Sequence, residues 1–465
     1  MTFCRAKMPA RADGRTRALL GAFLVCLAAL LHGCPEKQPK GPAALTSARP
    51  SSDASTLPIG DAAEAEAPVR GKRADAAARD PALRAAELAQ RFIILDGHID
   101  TPNRLEQTRD RQGRLVHDIT TRAPELNFDY ERARQGGLDV PFLAIYVPSK
   151  YEGRGAKAYA DRLIDLMEQV IKTAPARFAM ARSPREVKAQ VAQGKISVAL
   201  GMENGAPLER RLENVQHFHA RGIRYITLAH ARDNHLADSS YDGRRTQGGL
   251  SSFGKRAVAE MNRLGIMVDV SHISDEAFWQ VLEVSKTPVI ASHSGCRHFT
   301  PGWQRNLSDE MIVALAKAGG VVQVNFGALF LDDTFRQQQA IQKRALARAL
   351  EQLGPGTSAQ LREKTKQQFL LEHPLPRATL ERVADHIARV VELAGIRHVG
   401  LGSDFDGVGD ALPEGLEDVS GYPNLLRVLL ERGYGEADIE AICSGNVLRV
   451  WQEVEDFAER AASGL

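Results

Sequence analysis

Five side chains that can bind metal ions lie at or just beyond the ends of predicted strands. They are three imidazoles and two carboxylates: His98, Asp100, Glu203, His272 and His293. Imidazole nitrogen and carboxylate oxygen suit zinc or a similar divalent ion, and five ligands exceed what one tetrahedral ion with an open position needs. The residues therefore predict two ions, bridged by the glutamate, around a water that is activated as a hydroxide nucleophile.

Each of these residues also has an ordinary explanation when it is taken alone. His98 and Asp100 form an alternate-residue pair of a kind found at many strand ends, and Glu203 could cap a helix. His272 and His293 could each be a solvated loop histidine. Four separate strands followed by a histidine or an acid are hard to meet by chance, whereas a binuclear site requires them. The set together favours the metal site.

The segments that must position these side chains alternate between short apolar runs and longer amphipathic stretches, the pattern of repeated β-α units. Eight strands are predicted at 92–97, 140–147, 196–202, 225–229, 266–271, 288–292, 321–325 and 398–403. Eight parallel strands with helices between them can close into an α/β barrel of the (β/α)8 TIM type. Amidohydrolase-like, metal-dependent hydrolases have this fold. Because the C-terminal ends of barrel strands meet at one face, all five side chains would lie at one mouth.

The intervening stretches predict helices at 156–173, 251–264, 274–285, 308–318 and 377–394. Ser251, Ser274 and Ser308 would cap the second, third and fourth of these, because a serine oxygen accepts the free amide hydrogens of a first turn. The polar stretch 104–138 and a Gln-, Lys- and Arg-rich stretch near 331–376 do not fit a minimal barrel. We interpret the second as a helical insertion that lies over the active site.

The first 34 residues have the composition of a bacterial export signal. Basic residues precede an apolar run from Ala18 to Leu31, which is shorter than the roughly 20 residues of a membrane span. The run ends in Leu31-His32-Gly33-Cys34, which resembles a lipobox except that His32 replaces the usual small residue. We predict that Cys34 is lipidated and that the protein is exported as a lipoprotein of the bacterial cell envelope, facing the periplasm or the exterior. Ordinary secretion with a free Cys34 is the alternative.

The rest of the chain divides into a tether and one domain. Residues 35–84 are rich in Ala, Pro, Ser and charged residues without apolar periodicity, which predicts a flexible tether. Residues 85–465 form the predicted catalytic barrel. A net charge of +2 from 60 basic and 58 acidic residues provides no field that would gather nucleic acid, and membrane contact is expected only through the lipid. In the folded part, Cys296 and Cys443 could form one disulfide or remain two buried thiols.

Four further polar residues follow strands on the same face and are candidate substrate contacts. His230 follows the fourth strand, Arg305 lies in the loop after the sixth, and Asp404 and Asp406 follow the eighth. Asp404 is our candidate for the group that moves a proton, and His230 for the group that steadies the oxyanion. Arg305 could hold a substrate carboxylate by two parallel hydrogen bonds, or it could form an ordinary surface ion pair.

Seven short motifs, in this order, resemble the membrane (renal-type) dipeptidases of peptidase family M19. They are DGHID at 96–100, GMENG at 201–205, YITLAH at 225–230, VDVSH at 268–272, ASHS at 291–294, RNL at 305–307 and GSDFDGV at 402–408. The resemblance implies a distorted (β/α)8 barrel with two zinc ions per subunit. It further implies that His98 and Asp100 bind the first ion, that His272 and His293 bind the second, and that Glu203 binds both.

The same resemblance implies roles for three other residues. It suggests that His230 and Arg305 bind substrate, with Arg305 on a carboxylate, and that Asp404 is the catalytic aspartate. Its substrates would be dipeptides, often with a D residue at the C-terminal position. Relatives are commonly dimers, so a homodimer is expected, but the few cysteines argue against a disulfide-linked one. The tether and the stretch 104–138 depart from the family pattern and leave substrate preference open.

These observations together predict a binuclear zinc dipeptidase. One alternative is another amidohydrolase that acts on N-acyl amino acids, lactones or phosphoesters. Many such enzymes bridge their metals with a carboxylated lysine, and no lysine ends a predicted strand here. A second alternative is a lipoprotein that captures metal or peptides without chemistry, which would have no need of Asp404 and His230.

Overall fold

The computed structural model describes residues 80–409 and 411–464. The predicted export signal, Cys34 and most of the predicted tether lie outside these residues. The last residues assigned to the tether, 81–84, instead form the first turn of a helix that starts at Pro81. Asp80 caps that helix, since its side chain accepts a hydrogen bond from the Ala82 amide at 2.9 Å.

Parallel strands form the centre of the domain and close into a barrel. In chain order they are β1 (Ile94–Ile99), β2 (Leu138–Tyr146), β3 (Phe178–Met180), β4 (Ile196–Glu203), β5 (Ile223–Thr227), β6 (Met267–Asp269), β7 (Ile290–Ser294), β8 (Val321–Val324) and β9 (Val399–Leu401). The order around the barrel is β1, β2, β4, β5, β6, β7, β8, β9 and back to β1. The short β3 pairs only with β4, outside the closed ring. The predicted eight-stranded α/β barrel is therefore confirmed.

Each predicted strand is present, and the ends differ by a few residues. The strand predicted at 288–292 begins at Ile290 and runs to Ser294, because Pro288 has no amide hydrogen for the ladder. The strand predicted at 266–271 ends at Asp269, since His272 adopts a left-handed backbone that no strand contains. The sequence did not predict β3, which is too short to show a pattern.

Helices surround the barrel. They are α1 (Pro81–Arg91), α2 (Thr101–Gln107), α3 (Tyr130–Gly136), α4 (Ala156–Thr173), α5 (Pro184–Val191), α6 (Glu213–Ala220), α7 (Ser252–Leu264), α8 (Asp275–Val284), α9 (Asp309–Lys317), α10 (Ala328–Leu331), α11 (Asp333–Gln352), α12 (Ala359–Glu372), α13 (Leu380–Ala394), α14 (Tyr422–Glu431), α15 (Glu436–Glu440) and α16 (Asn446–Ser463). The three predicted serine caps are confirmed: Ser251, Ser274 and Ser308 each accept an amide hydrogen three residues on. No helix within the described residues is both long and apolar enough to cross a membrane.

Apolar side chains fill part of the barrel interior. An inner cluster of strand residues, among them Leu95, Phe142 and Tyr225, packs around Trp451 of α16. The ring centres of Phe142 and Trp451 are 5.1 Å apart. The neighbouring strand residues, which point outward, pack against the helices in a second, larger cluster. This packing holds the strands rigidly, so that their C-terminal ends can position polar groups.

The stretch after β8 contains a pair of long helices, α11 and α12, before α13 returns to the barrel. Phe335 is the buried residue of α11, whereas α12 has none. The first turn of α11 lies close to the loop after β7, since the Arg336 guanidinium is 5.8 Å from the ring centre of Trp303. The insertion therefore reaches the edge of the site described below.

Candidate active site

The five predicted metal ligands and the predicted substrate-binding and catalytic residues His230, Arg305 and Asp404 lie together at the C-terminal ends of the strands. His98 and His293 lie within β1 and β7, and Glu203 is the last residue of β4. The others follow a strand: Asp100 follows β1, His230 follows β5, His272 follows β6, Arg305 lies beyond β7 and Asp404 follows β9. Parallel strands bring these positions to one face even though more than 300 residues separate the first and the last.

Glu203 lies at the centre of this group, and its two oxygens face different partners. Oε2 lies 3.5 Å from His98 Nε2, which is itself 3.5 Å from Asp100 Oδ2. Oε1 lies 3.1 Å from His272 Nε2 and 3.5 Å from His293 Nε2. One carboxylate therefore connects two groups of donors, one on each of its oxygens.

His230 and Asp404 also lie within reach of the donor groups. His230 Nε2 is 3.4 Å from Glu203 Oε1, and its side chain keeps 20% of its exposure. The five predicted ligand side chains are all at most 9% exposed, so His230 is the imidazole that faces the open side. Asp404 has a carboxylate oxygen within 4.8 Å of ligand atoms of His98 and Asp100, and Asn325 donates to Asp404 Oδ2 at 2.8 Å.

The charges in this cluster shift one another's protonation. Burial alone would raise the pKa of Glu203, but the four surrounding imidazoles hold it well below its usual value. Burial, with the neighbouring Asp100 and Glu203 carboxylates, raises the pKa of Asp404 well above its usual value. Burial lowers the pKa of both His272 and His293, and the Arg305 charge adds to that effect. Ionised carboxylate and neutral imidazole are the forms that bind metal, so the lowered pKa values favour metal binding at Glu203, His272 and His293.

The donor set fits divalent cations. Among the described side chains, His98 Nε2 and Asp100 Oδ1 are buried atoms without a hydrogen-bond partner. His272 Nε2 and His293 Nε2 lie 2.7 Å apart, a separation at which two neutral imidazoles need a proton or a cation between them. Buried polar atoms and clustered carboxylates of this kind are costly unless they are compensated. Divalent cations on the two sides of Glu203 would compensate them.

Two of these side chains depend on an unusual backbone. His272 and Asp404 have φ angles of 69° and 63°, in the left-handed region that side chains other than glycine rarely adopt. The strain, of order 1 kcal/mol for each residue, persists only where the surrounding structure enforces it.

Two residues that sequence reasoning did not single out shape the cluster. The Tyr225 hydroxyl lies 2.7 Å from His98 Nδ1, which turns the other ring nitrogen toward Glu203. Gly407 packs so closely that a Cβ there would lie 2.2 Å from both Asp100 Oδ2 and Asp404 Oδ1. Both residues fall inside the motifs that suggested the family, which was the signal available in the sequence.

Asp406, which we considered as a substrate contact, has a structural role instead. Its carboxylate accepts hydrogen bonds from the Thr101 hydroxyl at 2.5 Å and from the Asn127 amide at 2.7 Å. The Asp406 amide in turn donates to the side-chain oxygen of Asn127, Oδ1, at 2.8 Å. Asp406 thereby fastens the polar stretch 104–138 to the end of β9, and both of its oxygens are occupied.

Arg305 lies beside the cluster, next to a group of aromatic side chains. It is 2% exposed, and it donates to Ser294 Oγ at 2.9 Å and to the His293 carbonyl at 2.8 Å. Its Nε has no hydrogen-bond partner among the described residues. The guanidinium carbon lies 4.9 Å from the ring centre of Phe330, and Trp303 packs against both Phe330 and Tyr241. We call Tyr241, Trp303 and Phe330 the aromatic wall. Burial rules out the surface ion pair that was the alternative for Arg305.

The two cysteines of the folded part are separate. Cys296 and Cys443 are both buried and free, and burial raises the pKa of Cys443 to about 12. The Cys296 amide donates to His386 Nδ1 at 2.9 Å. Of the two arrangements that the sequence left open, the structure has two buried thiols.

Comparison with known proteins agrees with this geometry. The family model described as membrane dipeptidase, peptidase family M19, matches residues 82–464. An uncharacterised dipeptidase of Schizosaccharomyces pombe is 32% identical over 393 residues, which cover 81% of this chain and 84% of that protein. The solved structure of the probable dipeptidase PvdM from Pseudomonas aeruginosa is 28% identical with a TM-score of 0.68, over 82% of this chain and all of that one.

A further solved structure shows the same fold at lower identity. It is a metallopeptidase from Rhodobacter sphaeroides, liganded with a phosphinate mimic of the dipeptide L-Ala-D-Ala. It is 24% identical, with a TM-score of 0.63, and the match covers 78% of this chain and 99% of that one. The family model spans the barrel from α1 to the end of α16 and includes every residue of the cluster. The chain therefore belongs to the membrane dipeptidases, peptidase family M19, and is a metallo-dipeptidase.

Proposed function

We propose that this enzyme hydrolyses dipeptides with two zinc ions held on the two sides of Glu203. The observation that carries the proposal is the division of the Glu203 oxygens, with His98 and Asp100 near Oε2 and the nitrogens of His272 and His293 near Oε1. In this proposal His98 and Asp100 hold one ion and His272 and His293 hold the other. Bound divalent cations supply Lewis acidity, which polarises a carbonyl group and makes water a better nucleophile.

Arg305 is the proposed binding group for the C-terminal carboxylate of the substrate. Its guanidinium is buried beside the His272 and His293 donors, and its Nε–H is available. A carboxylate held there would place the peptide carbonyl of a dipeptide, a few bonds away, near Glu203. The aromatic wall lies around Arg305 and limits the length of a bound chain. Both features favour short peptides.

His230 and Asp404 are the proposed partners of the reacting atoms. His230 is the more exposed imidazole and lies on the Oε1 side of Glu203, where its ring can donate to an oxyanion that forms on the attacked carbonyl. Asp404 lies on the other side, near His98 and Asp100, where its carboxylate can take a proton from the attacking water and return one to the leaving amine. Asn325 holds the Asp404 carboxylate by a hydrogen bond to Oδ2.

Tolerance of a D residue at the C-terminal position belongs to the same proposal. The Rhodobacter sphaeroides metallopeptidase is liganded with a mimic of L-Ala-D-Ala, and that protein shares this fold. A carboxylate held by Arg305 fixes the C-terminal residue through its backbone, so that the site itself does not need to read the side chain. We expect L-Ala-D-Ala and L-Ala-L-Ala both to be cleaved.

One experiment tests the metal count, the substrate class and the stereochemistry together. The purified protein is analysed for metal content and then incubated with a panel of L-L and L-D dipeptides, tripeptides and N-acyl amino acids, with and without a chelator. We expect two zinc ions per chain, cleavage of dipeptides alone, and loss of cleavage with the chelator. Glu203→Gln should lose metal and activity together. Two tightly bound metals and full turnover in Glu203→Gln would show that the site is misassigned.

The alternatives give different outcomes in the same assay. An amidohydrolase for N-acyl amino acids or lactones would cleave the acylated substrates and leave every dipeptide intact. Within the described residues Glu203 occupies the position between the two donor groups, which does not favour a carboxylated-lysine bridge. The binding lipoprotein without chemistry is at odds with membership of a metallo-dipeptidase family.

The cellular location and the oligomeric state are also proposals. The basic and apolar segments before Cys34 support export and acylation of that cysteine. Mass spectrometry of the protein purified from membranes tests this proposal. We expect a diacylglyceryl group on Cys34, and an unmodified Cys34 would refute the proposal. A homodimer, if it forms, should be non-covalent, because Cys296 and Cys443 are buried. Light scattering under reducing and non-reducing conditions should give the same mass.

A further inference from the structure

Asp269 of β6 is a buried carboxylate that lies behind the donor cluster rather than in it. Its Oδ1 accepts hydrogen bonds from the Ser271 amide at 3.0 Å and from the Ser292 amide at 2.8 Å. Each of these serines immediately precedes a donor histidine, His272 or His293. One carboxylate oxygen therefore holds together the backbone of the two neighbouring segments, the end of β7 and the residues that follow β6, that carry the ring nitrogens near Glu203 Oε1.

The second oxygen of Asp269 reaches a ring nitrogen through Ser292. The Ser292 hydroxyl donates to Asp269 Oδ2 at 2.6 Å and lies 2.7 Å from His293 Nδ1. A hydroxyl has one hydrogen, and a carboxylate can only accept. The serine oxygen must therefore accept from His293 Nδ1–H, which leaves Nε2 with a lone pair on the side of Glu203.

The same arrangement recurs at another position in the barrel. Asp96 of β1 accepts hydrogen bonds through Oδ1 from the His98 and Ser403 amides, both at 3.0 Å. His98 is itself a candidate metal ligand, and Ser403 immediately precedes Asp404. The Tyr422 hydroxyl donates to the other oxygen of Asp96. A strand aspartate whose Oδ1 accepts two amide hydrogens from neighbouring segments that carry residues of the site thus occurs twice in one barrel.

We propose that Asp269 is a positioning residue, which acts through Ser292 to keep His293 protonated on Nδ1 and its Nε2 free to bind a divalent cation. This inference rests on the proposed function, since it assumes that the Glu203 cluster binds metal. Partners behind a ligand histidine fix its tautomer and orientation, and their loss typically costs about 10–100-fold in metal affinity. Asp269 would exert that effect across a serine rather than by direct contact.

Substitution of Asp269 by asparagine should reverse the direction of the two hydrogen bonds that link Asp269, Ser292 and His293. Oδ1 faces two amide hydrogens, so the amide oxygen of Asp269→Asn should stay there and its NH2 group should face Ser292. The serine oxygen would then accept from that NH2 group, and its hydrogen would point at His293 Nδ1. The ring proton would move to Nε2, the nitrogen that is needed for metal. This variant keeps the size of the side chain and alters the direction of the donors.

Thr227 offers a matched control on the same carboxylate. Its hydroxyl also donates to Asp269 Oδ2, and among the hydrogen bonds of the described residues it has none to a histidine ring. Thr227→Val removes one hydrogen bond to Asp269 and leaves the path through Ser292 intact. If Asp269 only stabilises the fold, Thr227→Val and Ser292→Ala should lower the melting temperature and the zinc affinity to a similar extent.

The test is a zinc titration of the full-length protein and its variants in competition with a chromophoric chelator, together with thermal melts. We expect Ser292→Ala and Asp269→Asn to bind one of the two zinc ions about 10–100-fold less tightly than wild type, and Thr227→Val to bind both as wild type does. Nitrogen-15 spectra of the histidine rings before zinc is added should show His293 protonated on Nδ1 in wild type and on Nε2 in Asp269→Asn.

The outcomes separate this inference from the proposed function. If the wild-type protein binds no zinc, the proposed metal site fails. If wild type binds two ions and both Ser292→Ala and Asp269→Asn bind them equally well, the positioning role of Asp269 is refuted. A loss of affinity in Thr227→Val as large as that in Ser292→Ala would also refute it, because the effect would then be purely structural. Should Ser292→Ala fail to fold, Asp269→Asn and its ring protonation decide the question.

Discussion

Gly407→Ala should disable the site with little change in the fold. A Cβ at this position would lie 2.2 Å from Asp100 Oδ2 and from Asp404 Oδ1, whereas ordinary contact begins at 3.4 Å. Both carboxylates must therefore withdraw, or the backbone must move, by about 1.2 Å, the difference between these distances. A misplacement of about 1 Å at a reacting centre can cost about 100-fold in rate. Overpacking of this kind costs about 1–3 kcal/mol of stability.

The assay compares kcat/KM for a dipeptide, zinc content and melting temperature in Gly407→Ala and in a control. Gly356→Ala is the control, because a Cβ there meets nothing within 4 Å and no left-handed φ is involved. We expect Gly407→Ala to lose about 100-fold in kcat/KM and to bind zinc less tightly, while Gly356→Ala behaves as wild type. If Gly407→Ala keeps wild-type kcat/KM and zinc content, the close approach of Asp100 and Asp404 has no functional meaning.

Three further predictions concern single residues. Arg305→Ala should raise KM for dipeptides more than it lowers kcat, because it removes binding of the substrate carboxylate; an effect on kcat alone would contradict that role. His230→Ala should keep the zinc content and lower kcat by about 10²–10³-fold, whereas loss of zinc would make His230 a ligand. Asp139→Asn should stabilise the protein at pH 7.5 and not at pH 4. Burial raises the pKa of Asp139 to about 6 from 3.8, although the Ile94 amide and Arg134 lower it. The charged form therefore destabilises the fold above pH 6, by at most about 3 kcal/mol, and this cost disappears below pH 4. Denaturant unfolding measures the change in the free energy of unfolding that Asp139→Asn causes, and an equal change at pH 7.5 and pH 4 would refute this reasoning.

The fold was largely predictable because its strands are short and buried on both faces. Such strands appear as apolar runs, and eight runs separated by amphipathic helices leave few arrangements other than a closed barrel. The three serine caps were predictable for a local reason, since the capping bond joins residues three apart. The lone β3 was not predictable, because three residues with one buried side chain carry no period.

The site was predictable in its members more than in its geometry. His98, Glu203 and His293 could be selected because each lies at the end of a strand, and the ends of parallel strands converge. The sequence could not show that the Asp406 carboxylate accepts hydrogen bonds from Thr101 and Asn127, because these partners lie 305 and 279 residues away in the chain. Nor could it show that Tyr225, an apparently apolar strand residue, orients His98.

The sequence by itself determined which residue types are present, the period of the strands, and hence the end of the barrel where the polar side chains collect. Only the tertiary structure decided how those side chains share space: which oxygen of Glu203 faces which imidazole, and why residue 407 must lack a side chain. The physical reason is range. Periodicity and capping act between residues a few positions apart, whereas the orientation of a buried donor depends on atoms from distant strands that pack within about 3–4 Å.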